Sequence, residues 1–189
     1  GHRGHPEVSG TIGQVAEGAI ALAETVADVA ALDFADQTPL AFLTQTTLSV
    51  DDTADVVAAL RARYPEIVGP KAEDICYATS NRQAAVKTIA PQCQLVLVIG
   101  APNSSNSLRL VEVAERCGAQ ARLVQRGTEI EGHWFDGVEV LGLTAGASAP
   151  ERLIEEVIAR IGEFRDVSME QVVTAEEKMV FKLPRQLVD

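Results

Sequence analysis

The chain has 189 residues, 47% of them hydrophobic, and a formal charge of −11; that is enough apolar material for a substantial core, expected as two α/β modules of roughly 100 residues or fewer each. So acidic a chain is a poor nonspecific nucleic-acid binder, which needs Lys and Arg to neutralise phosphates. No apolar stretch approaches the ~18 residues of a membrane span and no signal-peptide pattern is present, so a soluble cytoplasmic protein is expected; three cysteines without close pairing do not form a disulfide framework.

In chain order, Gly4-His5-Pro6-Glu7-Val8 opens the sequence as a loop running into a helix. Ala19-Ile20-Ala21-Leu22-Ala23 and Pro39-Leu40-Ala41-Phe42-Leu43 are short apolar runs suited to buried parallel strands. Ser49-Val50-Asp51-Asp52 has the Ser-x-x-Asp form of a helix start, and Val56, Val57 and Leu60 give that helix an apolar face before Pro65. The polar stretch Gly69 to Asp74 marks a boundary, dividing the chain into a first α/β module over 1–73, a second over 74–163 and a tail over 164–189. Ser80 and Gln83 resemble a capping box for a helix ending near Pro91, and Leu95 to Ile99 forms a buried strand closed by Gly100. Leu110, Val113, Ala114 and Cys117 keep helical spacing up to Gly118; Val138 to Leu143 is the next strand, followed by a helix with Leu153, Ile154, Val157, Ile158 and Ile161 on one face. The tail has only two short apolar runs, Val172-Val173 and Met179-Val180-Phe181.

The loops between these elements are built from hydroxyls, amides and small residues: Thr44 to Thr47, Ala78 to Asn81, Asn103 to Ser107, and Thr144 to Ser148. In open α/β sheets such loops lie at the carboxyl ends of the strands, where helix amino termini offer N–H groups to an anion. With net negative charge overall, a phosphorylated ligand requires a local cradle of oriented donors, which Ser, Thr, Asn and backbone N–H supply without carrying charge. Cys76, His5 and Glu7 bring a thiol, an imidazole and a carboxylate to the same set of loops, adding redox or acid-base chemistry to binding.

Five segments together resemble the LytB/IspH family of 4-hydroxy-3-methylbut-2-enyl diphosphate reductases. They are Gly1-His2-Arg3-Gly4-His5-Pro6-Glu7-Val8, Thr44-Gln45-Thr46-Thr47-Leu48-Ser49, Asp74-Ile75-Cys76-Tyr77-Ala78-Thr79-Ser80-Asn81-Arg82-Gln83, Asn103 to Ser107 and Thr144 to Ser148, in order and with similar spacing through the helix ending near Gly162. The resemblance implies reductive dehydroxylation of an allylic diphosphate to isopentenyl and dimethylallyl diphosphates, with electrons from a ferredoxin or flavodoxin. It implies an iron-sulfur cluster, 4Fe-4S with one open iron, held by three cysteines. On position alone Cys76 reads as a structural thiol, and the segment around it reverses that in favour of cluster ligation, thiolates being the ligands such clusters favour.

By the same resemblance His5 contacts substrate, Glu7 is the proton source, Thr46 completes a hydroxyl relay, and Ser104, Ser105, Asn106 and Ser148 hold the diphosphate; any one of these last four, taken alone, reads better as a simple helix cap. Cys93 and Cys117 read as packing residues, His2 and His133 as ordinary surface or boundary histidines. Two of the family's cluster cysteines have no counterpart here. Residue 1 lies inside a ligand-type loop without a preceding strand or an initiator methionine, so an amino-terminal region carrying those cysteines is expected before it. The rival reading is a non-redox phosphate-binding module with the same loops and no metal.

Overall fold

The computed structural model describes residues 1–35, 37–177 and 184. Its organising element is β1 (Leu95–Ile99), all five of whose residues are buried. A continuous run of Leu, Val and Ile has no polar face to turn to water, so it forms a strand covered on both sides. β2 (Gln120–Val124) and β3 (Leu141–Ala145) pair with it in parallel, giving the order β2-β1-β3.

Strand alternation divides the core. Val96 and Val98 face α4 (Tyr77–Ile89) and α5 (Ser105–Arg116) through Val86, Leu110, Val113 and Ala114. Leu95, Leu97 and Ile99 face α6 (Glu151–Gly162) through Val157 and Ile161, with Phe135 and Ile130 closing that side. Full burial of each such side chain stabilises the fold by roughly 1.5–3 kcal/mol, so this two-sided packing fixes where β1 and β3 end and where α5 begins. α5 ends where Gly118 adopts φ +94°, and the next residue's N–H reaches back to Ala114 O at 3.2 Å. Cys93 and Cys117 pack against the Val96 face, and burial pushes the Cys93 thiol upward in pKa.

Residues before α4 form α1 (Pro6–Ile12), α2 (Val26–Ala31) and α3 (Val50–Arg63). α3 begins as its sequence indicates: Ser49 Oγ accepts the Asp52 N–H at 3.2 Å.

Three expectations are corrected. The apolar runs 19–23 and 39–43 are not strands; the β pairing described there is a single parallel bridge, Ala41 to Val68. A strand is stabilised by its ladder as well as by its side chains, and both runs instead line an open depression of about 1090 Å³ with Ile20, Leu22, Leu40 and Phe42. α4 starts at Tyr77 rather than at a Ser80–Gln83 box, so residues 78–81 are helical and not a loop. Ser80 Oγ bonds back to Tyr77 O at 3.2 Å, and Gln83, 1% exposed, reaches across to Leu48 O at 2.8 Å and the Val50 N–H at 3.0 Å, replacing backbone partners between α3 and α4. The third strand occupies Leu141–Ala145 rather than 138–143, with Val138 packed beside it. β2 lacks an apolar run to announce it, since an edge strand alternates exposed and covered residues.

The tail's Phe164 joins the α6 face of the core, 5.9 Å from Phe135, while Val172 and Val173 are exposed. Met179 to Phe181 lie outside the described residues. No helix among the described residues is long and apolar enough to cross a membrane.

Candidate functional site

A cleft of about 380 Å³ opens at the carboxyl ends of β1 and β3, lined by His5, Thr46, Thr47, Cys76, Thr79, Ser104, Ser105, Asn106, Ala147 and Ser148. Its depth depends on two glycines. A Cβ on Gly100, just past β1, would stand 2.1 Å from Ser107 Oγ, and one on Gly146, just past β3, 2.3 Å from the same atom. Hydrogen in place of methyl lets the first turn of α5 settle against the strand ends. There Ser104 caps the helix, its Oγ accepting from the Ser107 N–H at 3.3 Å and the Ser107 hydroxyl at 3.0 Å.

Asn106 is 6% exposed, and neither its amide nitrogen nor its amide oxygen has a hydrogen-bond partner among the described residues. A buried polar group left unmade costs about 1–3 kcal/mol, so an amide held in this state at a cleft wall is suited to meet a ligand. Ser105 Oγ accepts from Thr47 Oγ1 at 3.0 Å and from Gln45 Nε2 at 3.4 Å, which leaves its own proton for a further acceptor. Ser148 is exposed in the loop after β3, two residues before the Pro150 that precedes α6, and is not a helix cap.

His5 precedes α1, and its Nδ1 accepts the Glu7 N–H at 3.3 Å. With Nδ1 as acceptor, the neutral ring carries its proton on Nε2. Glu7 stands behind the cleft rather than in its lining: Oε1 accepts the Thr46 N–H at 3.0 Å and Oε2 the Thr46 hydroxyl at 3.1 Å. Among the described residues Thr46 is therefore the one that both hydrogen-bonds the Glu7 carboxylate and lines the cleft, the arrangement a two-member proton path requires.

Cys76 is the residue preceding α4, without a side-chain capping bond; its N–H donates to Thr46 O at 3.0 Å and its carbonyl accepts from Thr79 N–H at 2.7 Å. The backbone holds the position, and the sulfur has no hydrogen-bond partner among the described residues. Asp74 fixes the adjoining loop by accepting the Thr44 N–H at 2.7 Å. Among the described residues no three His, Cys, Asp or Glu side chains are grouped to hold a metal ion. The chain thus offers one soft ligand at the cleft, while Cys93 and Cys117 are committed to the core; the described residues by themselves do not make up a cluster's ligand set.

The structure brings His5, Thr46, Cys76, Ser104, Ser105, Asn106 and Ser148 into one cleft, with Glu7 one hydrogen bond behind. Sequence reasoning does not find Gln45. It is 3% exposed, accepts the His2 N–H at 2.9 Å and donates to Thr47 Oγ1 at 3.0 Å and to Ser105 Oγ at 3.4 Å, tying three segments of the site together. Thr47 is its neighbour in one motif, but His2 and Ser105 are 43 and 60 positions away, and only the fold joins them to it.

A parallel α/β fold with neutral donors gathered at its strand ends, and a thiol and a carboxylate–hydroxyl pair added, defines an α/β protein with a polar cleft at the carboxyl end of its sheet. The LytB protein family model matches residues 1–162, and the chain belongs to that family. It is 60% identical over 188 residues to the 4-hydroxy-3-methylbut-2-enyl diphosphate reductase of Roseobacter denitrificans and 60% identical over 188 residues to that of Hyphomonas neptunium, in each case over 99% of this chain and 60% of the relative. The solved structure of the E-1-hydroxy-2-methyl-but-2-enyl-4-diphosphate reductase from Plasmodium falciparum superposes with a TM-score of 0.80 at 34% identity, over 84% of this chain and 49% of that one. These relatives are reductases, and the chain spans 60% of the length of the curated ones.

Proposed function

We propose that these residues form the substrate-diphosphate and proton-delivery side of a reductase that converts 4-hydroxy-3-methylbut-2-enyl diphosphate to isopentenyl and dimethylallyl diphosphates. The carbon–oxygen bond of the allylic alcohol breaks, two electrons and two protons are taken up, and water leaves. Cys76 would supply one of three thiolates to a 4Fe-4S cluster, the other two coming from outside these residues. When bound, that cluster provides the electrons and, at its open iron, a Lewis acid. A ferredoxin or flavodoxin in the cytoplasm would reduce it.

The observation that carries this reading is Asn106, whose two buried amide atoms lack partners among the described residues in a cleft lined mostly by hydroxyl-bearing residues. A diphosphate oxygen would accept from Asn106 Nδ2, from Ser105 and from Ser148, and the free first N–H groups of α5 add the helix's positive end. His5, which lines the same cleft, would offer its Nε2–H to the substrate at the reacting end, beside Thr46. At the reacting end Glu7 gives its proton to Thr46 Oγ1 as the Thr46 proton passes to the departing hydroxyl, so the leaving group is water rather than hydroxide. Residues 1–73 and 74–163 are read as two modules sharing this cleft.

The test is substrate binding by a protein of the relatives' length carrying Asn106→Ala. A hydrogen bond to a charged group contributes about 1.5–3 kcal/mol, which corresponds to roughly 10- to 150-fold weaker binding. Unchanged affinity in Asn106→Ala, measured by calorimetry at matched iron content, removes the first turn of α5 from the diphosphate site.

A further inference from the structure

The first turn of α5 and the turn bearing His5 and Glu7 are far apart in the sequence, yet a buried cation connects them. Arg109 lies on α5, one helical turn beyond Ser105, and is 8% exposed. Its guanidinium donates to Glu112 on the same helix, stands 3.8 Å from Asp52 Oδ2 on α3, and approaches His2 Nε2 at 2.9 Å. A guanidinium only donates, so His2 Nε2 accepts; the neutral ring then carries its proton on Nδ1, which lies 3.5 Å from Glu24 Oε2. The His2 backbone completes the connection. Its N–H is held by Gln45 Oε1 at 2.9 Å, and its carbonyl accepts the His5 N–H at 3.1 Å. His5 in turn accepts the N–H of Glu7.

We infer that Arg109 is a positioning residue which, acting through the His2 ring, sets the His5–Glu7 turn in register with the diphosphate-binding first turn of α5. This inference rests on the reading of the cleft given above. The diphosphate contacts lie on α5 and after β3, and the proton path lies on the 5–7 turn and Thr46, so a fault in the connection displaces one end of the substrate's surroundings and spares the other. A displacement of about 1 Å at a reacting centre costs on the order of 100-fold in rate. Arg109→Met should therefore lower kcat by roughly 10- to 100-fold while KM moves less than about threefold.

His2→Leu removes the same contact without taking away a buried charge, because Arg109 keeps Glu112 and Asp52. It should lower kcat as Arg109→Met does, with a smaller fall in melting temperature, since only the Arg109 donor to His2 is left unpaired. His2→Gln, whose Oε1 can accept from Arg109, should recover most of the rate. In a double-mutant cycle in the holoenzyme, Arg109→Met added to His2→Leu should lower kcat by less than about twofold further, since both remove one connection.

Multiplicative effects, or failure of His2→Gln to outperform His2→Leu, overturn the route through His2. A second readout does not depend on turnover: the backbone amide resonances of His5 and Glu7 should shift in both variants while that of Ser148 stays in place. Superimposable His5 and Glu7 resonances in Arg109→Met overturn the inference whatever the activity. A parent protein with full iron content that fails to reduce the diphosphate alcohol instead overturns the proposed reaction, and leaves the resonance comparison to decide the role of Arg109.

Discussion

Ser107 is a small side chain on which the shape of the cleft turns. It is 1% exposed, its hydroxyl meets the Ser104 cap, and Gly100 and Gly146 both come within contact of it only because they lack a Cβ. Gly146→Ala would place a methyl carbon 2.3 Å from Ser107 Oγ, so α5 or the loop after β3 must move. Overpacking of this kind costs about 1–3 kcal/mol. The variant should melt at a lower temperature than the parent and bind substrate more weakly, and a thermal scan showing no loss would place the close approach elsewhere. Residues of this sort mark the limit of reading a site from sequence. His5, Thr46, Cys76, Ser104, Ser105, Asn106 and Ser148 stand out because their chemistry clusters within short loops. His2, Gln45, Gln83 and Arg109 do not, because their partners are distant in sequence: His2 and Arg109 are 107 positions apart, and His2 and Gln45 are 43.

At the scale of elements, α3 and α5 are joined across the outside of the cleft by Asp52 and Arg116, with N–O distances of 2.6 and 2.9 Å. The hydrogen bonds from Arg116 hold the Asp52 carboxyl below its ordinary value of 3.8, against a smaller opposing effect of burial. A carboxylate whose pKa is lowered by folding adds stability at pH above its unfolded value and loses it as pH falls through the folded one. The pair's contribution is therefore complete above about pH 5 and decays below about pH 4. Urea midpoints across that range should fall more steeply for the parent than for Asp52→Asn; parallel curves would mean that the pair does not hold α3 to α5. The Asp52 side chain is half-exposed, so the effect should also shrink in high salt. β1, α3, α5 and α6 are readable in the sequence because each carries its own apolar pattern and stop signals. The runs 19–23 and 39–43 carry the pattern of a strand but lack a ladder among the described residues, and α4 begins before the box that was expected to start it, because Gln83 is used as a tertiary bridge.

At the scale of the whole molecule, a three-stranded parallel sheet with helices on both faces fixes an end at which loops and helix starts from 1–7, 44–47, 76–79, 104–107 and 146–148 meet. The sheet contributes position; the loops contribute neutral donors, a thiol and a carboxylate–hydroxyl pair. The central claim is that this meeting point delivers a proton from Glu7 through Thr46 to an allylic hydroxyl while Asn106 and its neighbours hold the diphosphate. The most direct test is single-turnover reduction of 4-hydroxy-3-methylbut-2-enyl diphosphate by Glu7→Gln and the parent, each in a protein of the relatives' length with equal iron content. Gln preserves size and hydrogen bonding to Thr46 but supplies no comparable proton, so the rate should fall by a factor of about 10² to 10⁴ with substrate affinity retained. Equal rates in the two proteins would contradict the account and leave Glu7 as no more than a carboxylate anchoring Thr46 near the start of α1.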